Sequence, residues 1–526
     1  MSDADYIIVG SGINALVAAA MLGKKGNKVI VLERNDVAGG CIRTEEATAP
    51  GFVHDVMATT FVLFTTSPAF GVLGPDLARH GLEFCNTSAP TGVALPDGRH
   101  LILTGDRKTN IAAFEAAHAG DGVSFQREMD RFGGNADFVF GLLGGQLWSL
   151  ATLKVMAQQA LKRGLRGLAA FFGEALVAAR PYLETRYQSD LVQALFAPWV
   201  LHCGLNPDNA YSGEMLKVIG FALELAGAPI VKGGAIKAVR AFEGLIREQG
   251  GQVLTGAEVD EITVDAAGRA SGVRLRDGRT LRAGKGVIAS VAPAQLYGKL
   301  LAGQTLPDEV AEGVAQFRYG KGDMQIHYAL SAPPRWKGEG LSEVALIHLT
   351  PGLDGVSRAA NEAERGLLPA VPTICVGQPT VLDPSRAPAG QAVLWVQLPE
   401  APRRIKGDAG GEIAAPTDGR WTEAVRERFA DRIDTILRQH IENFDQVVIQ
   451  RRAYSPADLE AMNINLVGGD PYGGYCGIDQ FFLWRPLKTS VNHTTHIKGL
   501  YHIGAASHPG PGLGGGSGYL IGKALK

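Results

Sequence analysis

Gly10-Ser11-Gly12 sits between the apolar run Tyr6-Ile7-Ile8-Val9 and an alanine-rich segment from Ile13 to Leu22, and Glu33 ends a second apolar run, Lys28 to Leu32. The order is strand, tight turn, helix, strand, acid, which is the spacing a dinucleotide needs. Gly10 permits the sharp turn, Gly12 lets main chain approach a pyrophosphate, and Ala15, in place of a third glycine, still allows helix to pack closely on strand. Phosphates would rest on the helix start at Ile13 and Asn14, where unpaired N–H groups and the helix dipole favour negative charge. Glu33, roughly 20 residues on, can accept hydrogen bonds from a ribose diol, and an acid there disfavours a 2′-phosphate. Arg34 beside it completes this first set of cofactor-binding candidates.

The chain continues "RNDVAGGCIRT" from Arg34 to Thr44. A nicotinamide dinucleotide has no need of this second glycine pair, whereas a longer flavin dinucleotide lying across the domain gains a second close main-chain approach at Gly39-Gly40. The stretch resembles the E-x-x-x-x-x-G-G-R-x-x-T/S motif of the amine oxidase and phytoene desaturase superfamily of flavoproteins. Cys41 stands where that motif has arginine, so Arg43 becomes the candidate substitute and Cys41 a small packing residue rather than a covalent flavin link. Two further stretches match. "PIVKGGAIKAVRAFEGLIREQGGQVLTGAEVDEITVDAAGRASGVRLRDGRTLRAGKGVIASVAP", Pro229 to Pro293, carries glycines, an amphipathic helix over Ala235 to Glu248 and strands about a hairpin at Asp277-Gly278. The resemblance implies that the main chain at Val259 meets the adenine. "GLYHIGAASHPGPGLGGGSGYLIGKAL", Gly499 to Leu525, resembles the segment that closes the flavin site in carotenoid desaturases. It implies cofactor contacts at Gly504 and a helix N-terminus near Gly512, Leu513 and Gly514 aimed at the edge of the flavin ring where charge develops. Ala505 and Ala506 stand where many amine oxidases have an acid, which favours the desaturase branch, including the desaturase-type carotenoid ketolases.

The resemblance spans essentially the whole chain and implies an α/β fold. A Rossmann-type FAD-binding domain with a parallel sheet is expected from three discontinuous segments, 1–65, 227–295 and 488–526. A mixed α+β substrate domain is expected from 66–226 and 296–487, with an apolar helical subregion over about 105–226. Within that subregion Lys154, Lys162, Arg163 and Arg166 lie among leucines and phenylalanines. Such a helix rests on a membrane surface, caps an apolar channel, or packs on its own core.

Dehydrogenation at a flavin asks little of the protein beyond a base for one proton. By motif position the catalytic candidates are His54, which replaces an aromatic in the family's G-F-x-F-D strand, Asp55 and His508. On the substrate side the candidates are His202, Tyr475, Asp479 and Arg485, the last within a Q-x-x-x-x-R-P ending at Gln480, Arg485 and Pro486. The expected activity is FAD-dependent desaturation or allylic oxidation of an apolar isoprenoid or alicyclic compound, with oxygen, a quinone or a protein as electron acceptor. Two alternatives are an amine oxidase, which would show an aromatic cage with a flavin-facing lysine, and a flavin-bound subunit without turnover of its own in a hetero-oligomer.

Bulk properties narrow the field further. Among 526 residues, 51 basic side chains nearly balance 53 acidic ones, and no dense basic run argues for nucleic acid. Five scattered cysteines form no C-x-x-C pair, so neither a disulfide framework nor a metal cluster is expected and a reducing compartment fits. No secretory layout and no stretch of about 20 apolar residues appears. The expected location is cytoplasmic, with peripheral contact on the inner face of a membrane, and self-association or assembly with other proteins is open.

Overall fold

The computed structural model describes residues 2–526 and is built on two seven-stranded sheets. In the first, Gln252–Leu254, Val29–Leu32, Ala4–Val9, the end of Thr280–Ala289 and Leu500–His502 run parallel in that spatial order. The start of Thr280–Ala289 turns away into an antiparallel meander with Ala270–Leu275 and Val259–Val264. Strands from the beginning, middle and end of the chain thus share one sheet. Ile7, Ile8, Val31, Val287 and Ile288 are fully buried, as the continuous apolar runs require when both faces of a parallel sheet are covered. Helices Ile13–Gly23, Ile236–Glu248 and Gly516–Ala524 pack on one side. A side chain at Gly518 would meet the Asn14 carbonyl oxygen, which brings the first and last helices into close contact.

The second sheet follows the order Val448–Tyr454, Gly322–Leu330, Ala392–Ala401, Ile374–Gly377, Leu346–Leu349, Thr91–Ala94 and His100–Leu103. It is antiparallel except where Leu346–Leu349 lies parallel to Thr91–Ala94. Met324, Ile326 and Tyr328 face a core shared with Phe429, Ile433 and Leu437 of the helix Glu423–His440. The alternate residues Asp323 and Gln325 therefore turn to the opposite face.

Helices fill the interval from Arg107 to Ala226, with a 3-10 turn over Ala197–Cys203. Leu150–Ala175 is kinked at Gly164 and has no buried residue. Leu150, Leu161 and Leu165 are 85%, 87% and 80% exposed. Among the described residues no helix is long and apolar enough to cross a membrane.

Candidate active site

A large cavity opens at the carboxyl ends of the parallel strands, where ligands bind in open α/β sheets. Its first wall is main chain. Gly10 takes φ +92°, and a Cβ there would lie 2.7 Å from the Ser290 carbonyl oxygen, so only glycine makes the turn without strain. Gly12 differs: a Cβ would meet nothing within 4 Å and would project into the cavity. The Ile13–Gly23 helix starts at Gly12 with no side-chain cap, leaving its first N–H groups free for an anion. Gly40 brings the second glycine loop so close that its Cβ would lie 3.2 Å from the Gly12 Cα. Ser11 binds these parts together. Its hydroxyl donates to Glu33 Oε2 at 2.5 Å and accepts from the Gly39 N–H at 2.9 Å, while Glu33 Oε1 accepts from the Asn35 N–H at 2.9 Å. Ser11 escaped sequence reasoning because the middle position of a glycine turn carries no motif requirement.

From Gly12 the lining runs one way along Glu33, Arg34 and Ala257 to Val259, and the other way past Cys41, Met57, Gly473, Gly504 to Ala506, and Pro511 to Leu513. Gly10, Ile13, Asn14 and Gly39 also line it. The cavity volume is about 320 Å³, within the range of about 300–1,000 Å³ usual for ligand pockets. Arg34 lines the cavity half-buried, and its Nη1 has no partner in the protein.

Several motif-derived placements are corrected. Arg43 does not line the cavity and pairs with Glu45 instead, so the free guanidinium is that of Arg34. Ala15, in the first turn of the helix, is fully buried and does not line the cavity. The terminal helix begins at Gly516, after an αL cap at Gly515; Gly512 and Leu513 line the cavity from a turn, and Gly514 does not reach it. Cys41 does line the cavity, receives the Asn463 side-chain N–H at 3.4 Å, and has its thiol pushed up to about 11 by burial. That neutral thiol is a packing residue.

All three catalytic candidates lie outside the lining. Asp55 is saturated: Oδ1 accepts from the Thr44 hydroxyl at 2.6 Å and the Ala235 N–H at 2.8 Å, and Oδ2 accepts from Arg386 Nη1 at 3.0 Å. Arg386, fully buried, also holds Asp383 Oδ2 at 2.8 Å and the Val231 carbonyl at 2.7 Å, so Asp55 fastens three chain segments. His54 contacts the Thr48 hydroxyl at 2.7 Å and stacks edge-on with His327 at 5.1 Å; burial, then the neighbouring His327, holds it neutral far below the ordinary imidazole value. His508 Nε2 contacts the Gly145 carbonyl at 2.8 Å, and burial lowers it to about 4. The His54 ring ties to the Thr48 side chain, and the His508 ring to a backbone carbonyl.

On the substrate side, His202 does line the cavity, with its Nε2 2.9 Å from His348 Nε2. Burial lowers His202 to about 4 and His348 well below the ordinary value, so the two neutral rings share a hydrogen bond. These nitrogens and the Cys375 sulfur lie within 4.8 Å of one another. His348 Nδ1, however, is buried without the carbonyl or carboxylate partner that metal-bound imidazoles use. Arg485 is buried behind the lining: Nε and Nη2 donate to the Ala505 carbonyl at 3.0 and 2.8 Å, and Nη2 also to that of Tyr472. It positions two lining loops. Tyr475 lies under the Arg318 guanidinium at 4.5 Å, and Asp479 pairs with that same arginine at the surface; neither lines the cavity.

The second sheet contributes residues that no motif marked: Asp323, Gln325 and Gln397. Gln325 pairs with Gln397 across strands, Gln397 with Cys375, and Cys375 with His348, a polar row across the sheet. The signal lay in "GDMQIHYAL", where polar Asp323, Gln325 and His327 alternate with Met324, Ile326 and Tyr328.

Comparison with known proteins agrees with this geometry. Residues 8–73 match the NAD(P)-binding Rossmann-like domain family. Phytoene desaturase (neurosporene-forming) of Rhodobacter capsulatus is 23% identical, the alignment covering 99% of this chain and 93% of that protein. Several carotenoid desaturases are similar to the chain over nearly all of its described sequence at 22–26% identity. A limonene dehydrogenase component of Castellaniella defragrans is likewise 23% identical, over 99% and 94%. Pyridine nucleotide-disulfide oxidoreductase domain-containing protein 2 of Mus musculus is 26% identical, over 98% and 92%. Among solved structures, putrescine oxidase bound to putrescine superposes with a TM-score of 0.60 at 15% identity, covering 99% of this chain and 98% of that one. A fatty acid isomerase from P. acnes gives 0.56 at 12% identity, over 99% and 97%. These structures share the fold.

Proposed function

We infer that this chain is an FAD-dependent oxidoreductase that dehydrogenates a largely apolar small molecule, an isoprenoid or alicyclic compound, forming a carbon-carbon double bond or oxidising an allylic position. The observation that carries it is the continuity of the cavity: a glycine-built cradle beside Arg34, whose Nη1 has no partner in the protein, leads without interruption to a wall of Met57, Tyr472, His202 and the second sheet. The cradle fits a long dinucleotide. Gly12, Gly40 and the helix start would face the pyrophosphate, Glu33 a ribose, Ala257 to Val259 the adenine, and Gly504 to Leu513 the ring system. When bound, FAD supplies an acceptor for a hydride from a substrate C–H bond. The chain's own residues bury that substrate away from water, and Arg485 holds the Tyr472 and Ala505 loops against it.

The amine oxidase reading is weaker. The one lysine on the cavity wall, Lys299, donates to Glu258 Oε1 at 2.6 Å beside the adenine segment, and the wall offers Tyr472 rather than a cage of aromatics. We also propose peripheral contact with a membrane through the exposed leucines of Leu150–Ala175, flanked by Lys154, Lys162 and Arg166. An apolar substrate would then reach the cavity from lipid, and oxygen, a quinone or a protein would take the electrons.

Anaerobic mixing of the yellow protein with a panel of terpenes, cyclic alcohols, ketones and amines tests the reading. Bleaching by a terpene or alicyclic compound supports it, bleaching by amines alone replaces it with amine oxidation, and bleaching by none leaves a flavin carrier without turnover. Cosedimentation with anionic vesicles tests the membrane contact; retention in the supernatant overturns it.

A further inference from the structure

The second glycine loop carries no basic side chain where the family motif has arginine: Cys41 takes that place, and Arg43 turns to Glu45. The opposite wall supplies a donor instead. The helix Pro456–Met462 ends at Asn463, whose side-chain nitrogen lies 3.8 Å from the position that a Cβ on Gly40 would take. The same point is 3.2 Å from the Gly12 Cα and 3.6 Å from the Gly12 main-chain nitrogen. Gly12, Gly40 and Asn463 all line the cavity. A side-chain amide and both glycine loops therefore converge on one spot, beside the uncapped start of the Ile13–Gly23 helix.

The amide is oriented but only partly used. Its oxygen accepts from the Asn465 N–H at 3.2 Å, which leaves the nitrogen to the loops. That nitrogen carries two N–H groups, and among the described residues its one acceptor is the Cys41 sulfur at 3.4 Å, a weak one. The chain on either side is tied down. The Met462 carbonyl accepts from Asn35 Nδ2 at 3.1 Å, and Asn465 Oδ1 accepts from the Ala292 N–H at 2.8 Å. The helix itself follows directly on Val448–Tyr454, an edge of the second sheet, where Ser455 and Asp458 cap it reciprocally and Asp458 pairs with Arg426 at 3.2 Å. Residues 462–465 thus form a strap from the second sheet to the first, with Asn463 held over the glycine loops.

We propose that Asn463 donates to the cofactor diphosphate, filling from the second sheet the place that the motif arginine leaves empty in this chain. The inference rests on the FAD reading above and adds a cofactor-binding residue that no motif marks. Packing alone would not call for an amide here, since an apolar side chain fills space without bringing N–H groups that lack a good acceptor. A neutral amide also brings no charge to the diphosphate. Its contact depends on position, so it holds only while the strap lies across the loops, and the bound diphosphate joins the two sheets.

Two variants of the full chain test this: Asn463→Leu, which keeps the bulk and removes the donor, and Asn463→Asp, which keeps the shape and replaces the donor by an anion. Apoprotein of each, with its fold checked by circular dichroism, is titrated with FAD and followed by flavin fluorescence. Affinity should fall about tenfold or more for leucine, the effect of losing a hydrogen bond to a charged group, and further for aspartate, whose carboxylate faces the diphosphate. A packing role inverts that order, because aspartate preserves the shape that leucine alters. Such an inversion, or wild-type affinity in either variant, overturns the proposal. Phosphorus NMR at saturating FAD gives a second readout: a diphosphate resonance of the bound cofactor should move in Asn463→Leu, and spectra coincident with wild type overturn the proposal as well. If the aspartate variant does not fold, the leucine variant and its phosphorus spectrum decide alone. The wild type separates the two failures: FAD uptake by wild type and variants alike sinks the role of Asn463, whereas wild-type apoprotein that takes up no FAD sinks the reading beneath it.

Discussion

Where the cavity meets the parallel sheet, its wall is main chain at Gly10, Gly12, Gly39 and Gly40 with charged side chains at Glu33 and Arg34; where it meets the second sheet, its wall is side chains, Asp323, Gln325 and Gln397. In the proposed reading the first wall would receive phosphate and ribose, and it is built within one short stretch. The second would face the substrate in that reading, and it gathers residues from strands far apart in the chain. A cofactor wall made of backbone tolerates change only where a Cβ has room, whereas a substrate wall made of side chains can be altered without disturbing the cradle.

The sharpest break of this contrast is Gly12→Val. Because a Cβ there meets nothing within 4 Å of protein, the variant should fold with wild-type circular dichroism yet lose flavin by at least about tenfold in affinity; a fully yellow variant would show that the cradle is misplaced. Next is Arg386→Met, which strands Asp55 and Asp383 as buried charges and should cost about 3–5 kcal/mol in denaturant unfolding. If stability is unchanged while turnover collapses, Asp55 belongs to the chemistry after all. Arg34→Ala should weaken flavin binding by about tenfold with little change in stability, the amount expected when a charged hydrogen bond is lost; unaltered affinity would remove Arg34 from the cradle.

Protonation separates the walls more gently. His202, His327, His502 and His508 are each lowered by burial from 6.5 to about 4. A depressed folded-state value means that the neutral form is the one the fold accommodates. The stability contributed by these burials is complete above about 6.5 and drains as pH falls toward 4. Thermal unfolding should show Tm falling steadily over that window; a flat profile would mean that these rings are solvated.

The cradle was legible in sequence because glycine spacing, a terminal acid and strand-helix alternation are local requirements. Even there, function and motif parted: Arg43, two places from the family's arginine, turned to Glu45, while Arg34 kept the free guanidinium. The carboxyl-terminal glycines illustrate another limit. The stretch Gly512 to Gly514 is a turn because Gly515 takes the αL cap and delays the helix to Gly516. Motif position misled for His54, Asp55 and His508, since proximity to a motif-bearing segment does not say whether a side chain faces the cavity or a neighbouring loop. Asp323 was hidden by the reverse problem. Its place in the cavity wall depends on which face of a strand looks inward, and that face is set by the helix Glu423–His440 packed on the other side.

The central claim is that one cavity, spanning both ends of the chain, holds a flavin dinucleotide. Heat-released supernatant from the purified protein, separated by chromatography and quantified by absorbance, measures it directly. The account predicts FAD close to one per chain; release of a nicotinamide dinucleotide, or of no flavin from protein refolded with FAD, would contradict it.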